Sequence, residues 1–469
     1  MDKKISQLTP ETALSGDEIP VNRAGVNYKI TAGDIAALAT DGEPIGATTP
    51  STGSFTTLTA QELNVISVAS FAWKSNQTAP GGIFVPMPVT LTKAHLGMRR
   101  CLVLDNGTVN YYLDPQDSTK KADGTASVLT GADGMVMVEI PKFYTRRVVT
   151  GTITQWFVAD SALPGYAVHP AFVKDGVEVN NRYYGAYDAC VYDVSATSYI
   201  SGLNWDNNSG AGNGVAVDVT ASTGDVLASV SGIYPMAGLT RNEFRTLAAN
   251  RGTFWRQVDF TLWSAVQMLY LSEFQSFFSQ NILGAGNTNG TYLTSSGSQS
   301  DSPHTIAGAS NFMGNMSTNS VTGAGISLKP GTSFMCYRGI ENFFGNVNNW
   351  ADGINVNVTS NGNVYVTNNR ADFADDTSAN MTLIATTLPT GSGFISALQA
   401  IDNYFLASSV SGGSATTYMT DQHFGSTSSN RVVRVGGLAN DAASAGAFCV
   451  AADLASSNRL RLIGGRLAG

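Results

Sequence analysis

The chain has 469 residues, of which 13% are Asp, Glu, Lys or Arg, and a formal net charge of −8. That length supports two to four domains with a sizeable core, while the acidic balance lacks the basic footprint of a nucleic-acid binder. Charged residues run at about half the ~25% usual in globular domains, and with 49 glycines and abundant Ser, Thr and Asn the surface hydrogen-bonds through neutral groups.

No stretch approaches eighteen consecutive apolar residues, so no membrane-spanning helix and no membrane insertion are expected. Residues 1–7 lack the apolar core of a secretory leader, which predicts synthesis and folding in a cytoplasm. Cys101, Cys190, Cys336 and Cys449 are widely separated among apolar or aromatic neighbours. They read as buried free thiols, without the spacing of a zinc site.

In chain order, residues 1–42 form a small unit. Ile5, Leu8, Leu14 and Ile19 alternate with polar residues, and Tyr28-Lys29-Ile30 leads into a short helix capped by Thr31 or Asp34, with Ile35 and Leu38 as its apolar side. Residues 43–68 follow as a thin stalk, whose stretch 45–60 is too poor in large apolar side chains to bury a core alone. Phe55 and Leu58 stand there among Thr residues that favour extended backbone. A thin β-like rod satisfies both facts when several chains share one apolar seam.

Residues 69–150 read as a β-rich intermediate region. Strands are predicted at residues 83–85, 101–104, 109–113 and 135–140, separated by turns at Asp105-Asn106-Gly107, Asp123-Gly124 and Asp133-Gly134. Residues 151–469 carry two helices. The first lies near 240–248, where Thr240 and Glu243 form a capping box. The second runs from about 257 to 280, with Trp263, Val266, Tyr270, Phe274 and Phe277 on one face as core packing. Beyond residue 281 the chain turns to Gly/Asn/Ser/Thr loops, with strands predicted at 431–435, 447–450 and 460–463.

Several phrases carry a resemblance. Residues 4–8 and 16–21 look like the tail-attachment segment of bacteriophage fibres, and residues 45–60 resemble the short stalk of such fibres, in which three chains wind together. The phrases Gly134-Met135-Val136-Met137-Val138-Glu139-Ile140-Pro141-Lys142-Phe143-Tyr144, Leu163-Pro164-Gly165-Tyr166 through Phe172, and Tyr184-Gly185-Ala186-Tyr187 recur in one architecture. So do Leu269-Tyr270-Leu271-Ser272-Glu273-Phe274, Tyr337-Arg338-Gly339-Ile340-Glu341-Asn342-Phe343-Phe344-Gly345-Asn346-Val347, Val435-Gly436-Gly437, Ala445-Gly446-Ala447-Phe448 and Ile463-Gly464-Gly465-Arg466-Leu467. Together, over more than half of the chain, they are similar to the C-type-lectin-like domain of phage receptor-binding proteins of the major tropism determinant family.

The resemblance implies an α+β fold: a β-rich N-terminal attachment segment and trimeric stalk, then a lectin-like domain over 151–469 with long irregular loops. It implies a homotrimer joined through Phe55 and Leu58, bound at its N-terminus to a tail or baseplate protein. It also implies a virion location and C-terminal loops that face a bacterial surface receptor, glycan or protein. Those loops are the polar stretches 436–446 and 453–459, rich in Ala and Ser. The candidate contacts are Trp350, Asn440, Asp441, Ser444, Asn458 and Arg459, since Trp and Arg anchor interfaces while Asn and Ser adapt their hydrogen bonds.

Catalytic chemistry is not evident. His95, His169, His304 and His423 are scattered, with no HExxH, no Gly-x-Ser-x-Gly elbow and no P-loop. His169, before Pro170, reads as a structural hydrogen-bonder. The acidic clusters Asp372-Phe373-Ala374-Asp375-Asp376 and Asp206-Asn207-Asn208 carry oxygen ligands suited to Ca²⁺ but lack EF-hand spacing, and read as solvated loops. No cofactor is expected. The leading expectation is a non-enzymatic adhesin. The alternatives are a tailspike-type enzyme that degrades or deacetylates surface polysaccharide through a catalytic pair assembled by folding, and a structural tail or baseplate component.

Overall fold

The computed structural model describes residues 18–23, 26–31, 67–74, 84–202, 205–206, 215–216, 219–290, 304–320, 333–357, 362–399, 401–417, 419–427 and 430–469. Of the helix expected beyond Tyr28-Lys29-Ile30, only Thr31 is described, as the last residue of a strand; residues 32–38, the stalk seam at Phe55 and Leu58, and Asn207 and Asn208 lie outside the described residues. Contacts divide the chain into two units, 1–65 and 66–469. In the first, strands Glu18–Arg23 and Val26–Thr31 pair antiparallel, with Glu18 opposite Thr31 and Arg23 opposite Val26.

The second unit is α+β and β-rich, built on open sheets with few helices. A five-stranded antiparallel sheet runs in the order Ala167–Val168, Tyr144–Thr150, Ile153–Ala159, Val68–Lys74, Phe84–Val85. A six-stranded sheet runs Arg256–Gln257, Leu467–Ala468, Asn181–Gly185, Met135–Pro141, Arg99–Val103, Val109–Tyr112. The largest sheet orders Thr382–Ala385, Asn363–Val366, Asn348–Asn357, Arg431–Val435, Val450–Leu454, Gln422–Phe424 and Gly393–Phe394, with Ile463–Gly464 parallel to Asn348–Asn357.

These pairings correct the expected boundary at residue 150. Val68–Lys74 hydrogen-bonds along its whole length to Ile153–Ala159, and Met135–Pro141 pairs with Asn181–Gly185. A cut at 150 would split both sheets, so 69–150 belongs to the same compact unit as 151–469.

The strand Met135–Pro141 shows how the layers form. Its first six residues are all buried, the continuous apolar run of a strand covered on both faces. Val136, Val138 and Ile140 enter one core, while Met135 and Met137 enter the other. The larger core holds a cluster of aromatic rings: Phe71 stacks on Trp156 at 5.3 Å, and Trp73 meets the same indole at 4.1 Å.

Four α-helices matter to the argument: α1 (Lys93–Leu96), α2 (Arg241–Asn250), α3 (Phe260–Phe274) and α4 (Ser279–Leu283). In α2, the Thr240 hydroxyl accepts from the Glu243 amide and the Glu243 carboxylate accepts from the Thr240 amide, the expected capping box. Helix α3 starts at its Asp259 cap and is buried from Phe260 through Ser272, so the predicted aromatic stripe is one side of a wholly enclosed helix. It ends at Phe274, short of the expected 280, because Gln275 turns left-handed (φ 47°) and its amide closes on Leu271. Near the C-terminus, residues 447–449 and 460–462 lie outside the strands expected there, which begin at Val450 and Ile463.

Candidate receptor-binding surface

The antiparallel pair Arg431–Val435 and Val450–Leu454 positions both C-terminal loops. Val435 faces Val450 at one end and Val432 faces Leu454 at the other. The loop 436–446 therefore leaves from the Val435/Val450 end, and residues 455–462 leave from the opposite end, a strand length of roughly 13–17 Å away. The structure separates the two loops expected to form one surface.

Loop 436–446 is held largely through its backbone. The Ala439 amide donates to Asn346 O at 3.0 Å and the Ala442 amide to Thr288 O at 2.8 Å, while the Gly290 amide donates to Ala439 O at 2.6 Å. The Gln280 amide group of α4 donates to Ala442 O and Ala445 O, each at 2.7 Å. Gly437 makes the turn possible: its φ is +74°, and a Cβ there would lie 2.7 Å from Ala445. With the main chain so tied, Asn440, Ala442 and Ala443 are exposed and Ser444 is half-exposed.

Asp441 has a different role from the one expected. Its carboxylate turns inward to accept from the Leu438 amide at 3.0 Å, and burial pushes its pKa above the ordinary carboxylate range. The carboxylate thus shapes the loop. Trp350 is a clear correction. It is 0% exposed in the second core, and its indole Nε1 donates to Leu239 O at 3.0 Å. The residue sits on Asn348–Asn357 with its side chain projecting out of the sheet into the second core, which encloses it.

The second loop is held by side chains. Asn458 Oδ1 accepts from the Ala455 amide at 2.9 Å, closing a local turn. Arg459 reaches Glu243 on α2 at 2.6 Å, and the Ser456 hydroxyl donates to Asp376 at 2.7 Å. Arg459 remains 39% exposed, so this end presents Ser456, Asn458 and Arg459 beside the first turn of α2.

Residues that sequence reasoning missed support these loops. Asn346, in the left-handed region (φ 61°), donates to Asp188 at 2.8 Å and accepts through its side chain from Asn287 and Thr305. Asp188 in turn binds Asn349 and the buried Arg466. A chain of hydrogen bonds thus runs from Arg466 through Asp188 and Asn346 to Ala439 in the first loop. The signal was available only as Asn and Arg within apolar phrases.

The acidic cluster 372–376 also departs from a solvated loop. Asp375 bonds to both Arg241 and Arg245 at 2.7 Å. Burial raises its pKa, but the two guanidinium groups outweigh that and hold it below the ordinary range. Asp376 accepts from Ser456 and Asp372 from Asn369, so the three carboxylates share no partner and do not converge on one point. Among the described residues, no group of three or more His, Cys, Asp or Glu could hold a metal ion, and no helix is long and apolar enough to cross a membrane.

The histidines pack as structural groups. His169 Nδ1 accepts from the Ala171 amide at 3.2 Å, as its place before Pro170 suggests, and burial depresses its pKa to about 3. His95 Nδ1 accepts from the Thr92 amide at 3.1 Å while Nε2 lies 3.1 Å from Leu269 O, joining α1 to α3. All four cysteines are buried and free. No known family model matches the chain, and no curated protein matches it either.

Proposed function

We propose that the protein is a phage or phage-derived tail-fibre adhesin whose 66–469 unit binds a host surface receptor in the manner of a C-type-lectin-like domain. The observation that carries this reading is the loop 436–446. Its backbone is fastened to 280–290 and Asn346, which leaves small polar and apolar side chains facing outward on a scaffold indifferent to their identity. The helix pair α2 and α3, the sheets and the long tied loops are consistent with a lectin-like head.

In this reading residues 43–68 make a homotrimer through Phe55 and Leu58, and the N-terminal segment attaches to a tail or baseplate protein. Three modest sites per fibre then give tight attachment through effective concentration. The contacts are Asn440 and Ser444 at one end of the strand pair, and Asn458 and Arg459 at the other.

The test is binding of the purified full chain to susceptible and resistant cells, with released polysaccharide followed in the same tube. Saturable binding to susceptible cells alone, without sugar release, is expected. The paired substitution Asn440→Ala with Ser444→Ala should weaken it about tenfold or more if that end carries the contact. Sugar release, or equal binding to both cell types, overturns the adhesin reading.

A further inference from the structure

A second surface of the same unit has the chemistry of a small-molecule site. Strands Cys190–Asp193, Ser198–Ile200 and Val226–Ala228 form a three-stranded antiparallel sheet. Alternation puts Val191, Ile200 and Leu227 on one face, within the second core, and Tyr192, Tyr199 and Val226 side by side on the other, where Tyr199 also packs against that core. There the sheet lines one wall of a groove of about 520 Å³, within the range of roughly 300–1,000 Å³ usual for ligand clefts. The rest of its lining includes Gly131 and its neighbours, Leu104 and Asp105, and Asn250 and Arg251.

Tyr192 and Tyr199 are a cross-strand pair, their rings 5.0 Å apart and edge to face. Both are half-exposed, and neither hydroxyl has a hydrogen-bond partner among the described residues. Gly131 makes room for the Tyr199 tip: a Cβ there would fall 1.9 Å from the hydroxyl. The polar groups beside the rings are fixed in place. Arg251 donates to Leu227 O at 2.6 Å and to Asp105 Oδ1 at 2.7 Å, which cancels both charges and leaves the second carboxylate oxygen of Asp105 to solvent. Asn250 donates to Ala221 O and Asp225 O, which aims its own carbonyl oxygen outward as an acceptor.

Aromatic faces bordered by preset acceptors and no net charge suit a ligand with apolar C–H faces and a belt of hydroxyl donors. We infer that this groove binds a neutral pyranose, with its C–H face against Tyr192 and Tyr199 and its hydroxyls donating to Asp105 and Asn250. An anionic sugar or phosphate fits less well, because the guanidinium of Arg251 is already committed to Asp105. For its biological meaning the inference rests on the adhesin reading, and it places a glycan contact away from both C-terminal loops.

The test is saturation-transfer NMR of the full chain with the methyl glycosides of glucose, galactose, mannose, N-acetylglucosamine and rhamnose, at about 10 mM to capture millimolar affinities. At least one should show transfer concentrated on its ring C–H protons. Tyr192→Ala and Tyr199→Ala should each lower the affinity about tenfold or more, while Tyr192→Phe stays within about threefold. Thr130→Trp, at an exposed position on the rim, should block binding without touching the core. Asn440→Ala should change nothing. Absence of transfer from every glycoside, or transfer that survives both alanine variants and Thr130→Trp, overturns the inference. Its failure is separable from that of the adhesin reading: cell binding lost through the C-terminal loops with an empty groove refutes only the groove, whereas sugar binding without selective cell binding refutes only the adhesin.

Discussion

The two loops at either end of strand Val450–Leu454 are held in opposite ways. Loop 436–446 is fixed by main-chain bonds to 280–290 and Asn346, so its outward side chains contribute little to its shape. The loop beyond Leu454 depends on the side chains of Ser456, Asn458 and Arg459, the groups that a binding role would also need. The first loop can therefore change its outward side chains freely, while the second cannot change its own without moving its backbone. Adjacency in sequence did not make them one surface; strand direction set them apart.

The largest expected effect attacks the foundation of the first loop. Asp188→Ala strands the buried Arg466 and frees Asn346, and should cost about 3–5 kcal/mol. Calorimetry would register this as a fall in Tm, and hydrogen exchange should show the Ala439 amide losing protection before any amide of the second loop. Loss of protection in both loops together would erase the distinction drawn between them.

Acid should weaken the common scaffold. His95 and His169 have folded pKa values depressed to about 4 and about 3 by burial, so below about 6.5 the unfolded chain binds protons that the folded one refuses. Their contribution to stability is present above that pH and lost as pH falls toward 4, by up to about a hundredfold in the folding equilibrium per pH unit. Asp421 acts in the opposite sense, because burial raises its pKa to about 8 and it favours folding as pH falls through that value. Denaturant melts of the wild type and His95→Gln at several pH values isolate one of the histidines: the variant should show a shallower acid dependence by about one proton.

Smaller effects separate the loops directly. Gly437→Val forces a β-branched residue into positive φ against Ala445, at a cost of roughly 1–3 kcal/mol confined to the first loop. Arg459→Ala removes a partly exposed ion pair with Glu243 and should cost no more than about 1 kcal/mol. A larger loss from Arg459→Ala than from Gly437→Val, read from thermal melts, would reverse the ranking of the two anchorages.

What was legible in the sequence was local. The Thr240/Glu243 box marked α2, and a short apolar run after an Asp-Gly turn marked Met135–Pro141, because caps and turns are decided within a few residues. His169 before Pro170 also disclosed its role as a structural hydrogen-bonder. The fate of Trp350 was hidden, since an indole at the start of Trp-Ala-Asp-Gly reads alike whether its strand is central or at an edge. Pairing with Arg431–Val435, about eighty residues later, decides that. The double clasp of Arg241 and Arg245 on Asp375 depends likewise on partners far along the chain.

The strand Leu467–Ala468 lies inside the six-stranded sheet, between Arg256–Gln257 and Asn181–Gly185. Arg182 is bonded to Gly469, 287 residues away. During vectorial synthesis the earlier strands must wait with an open seam until residues 467–468 clear the ribosome. Folding of this unit is then a late and slow closure, with unpaired strand edges at risk of aggregation in the interval. Once shut, the same long-range stitch should make opening rare, so that the unit persists by the slowness of its unfolding.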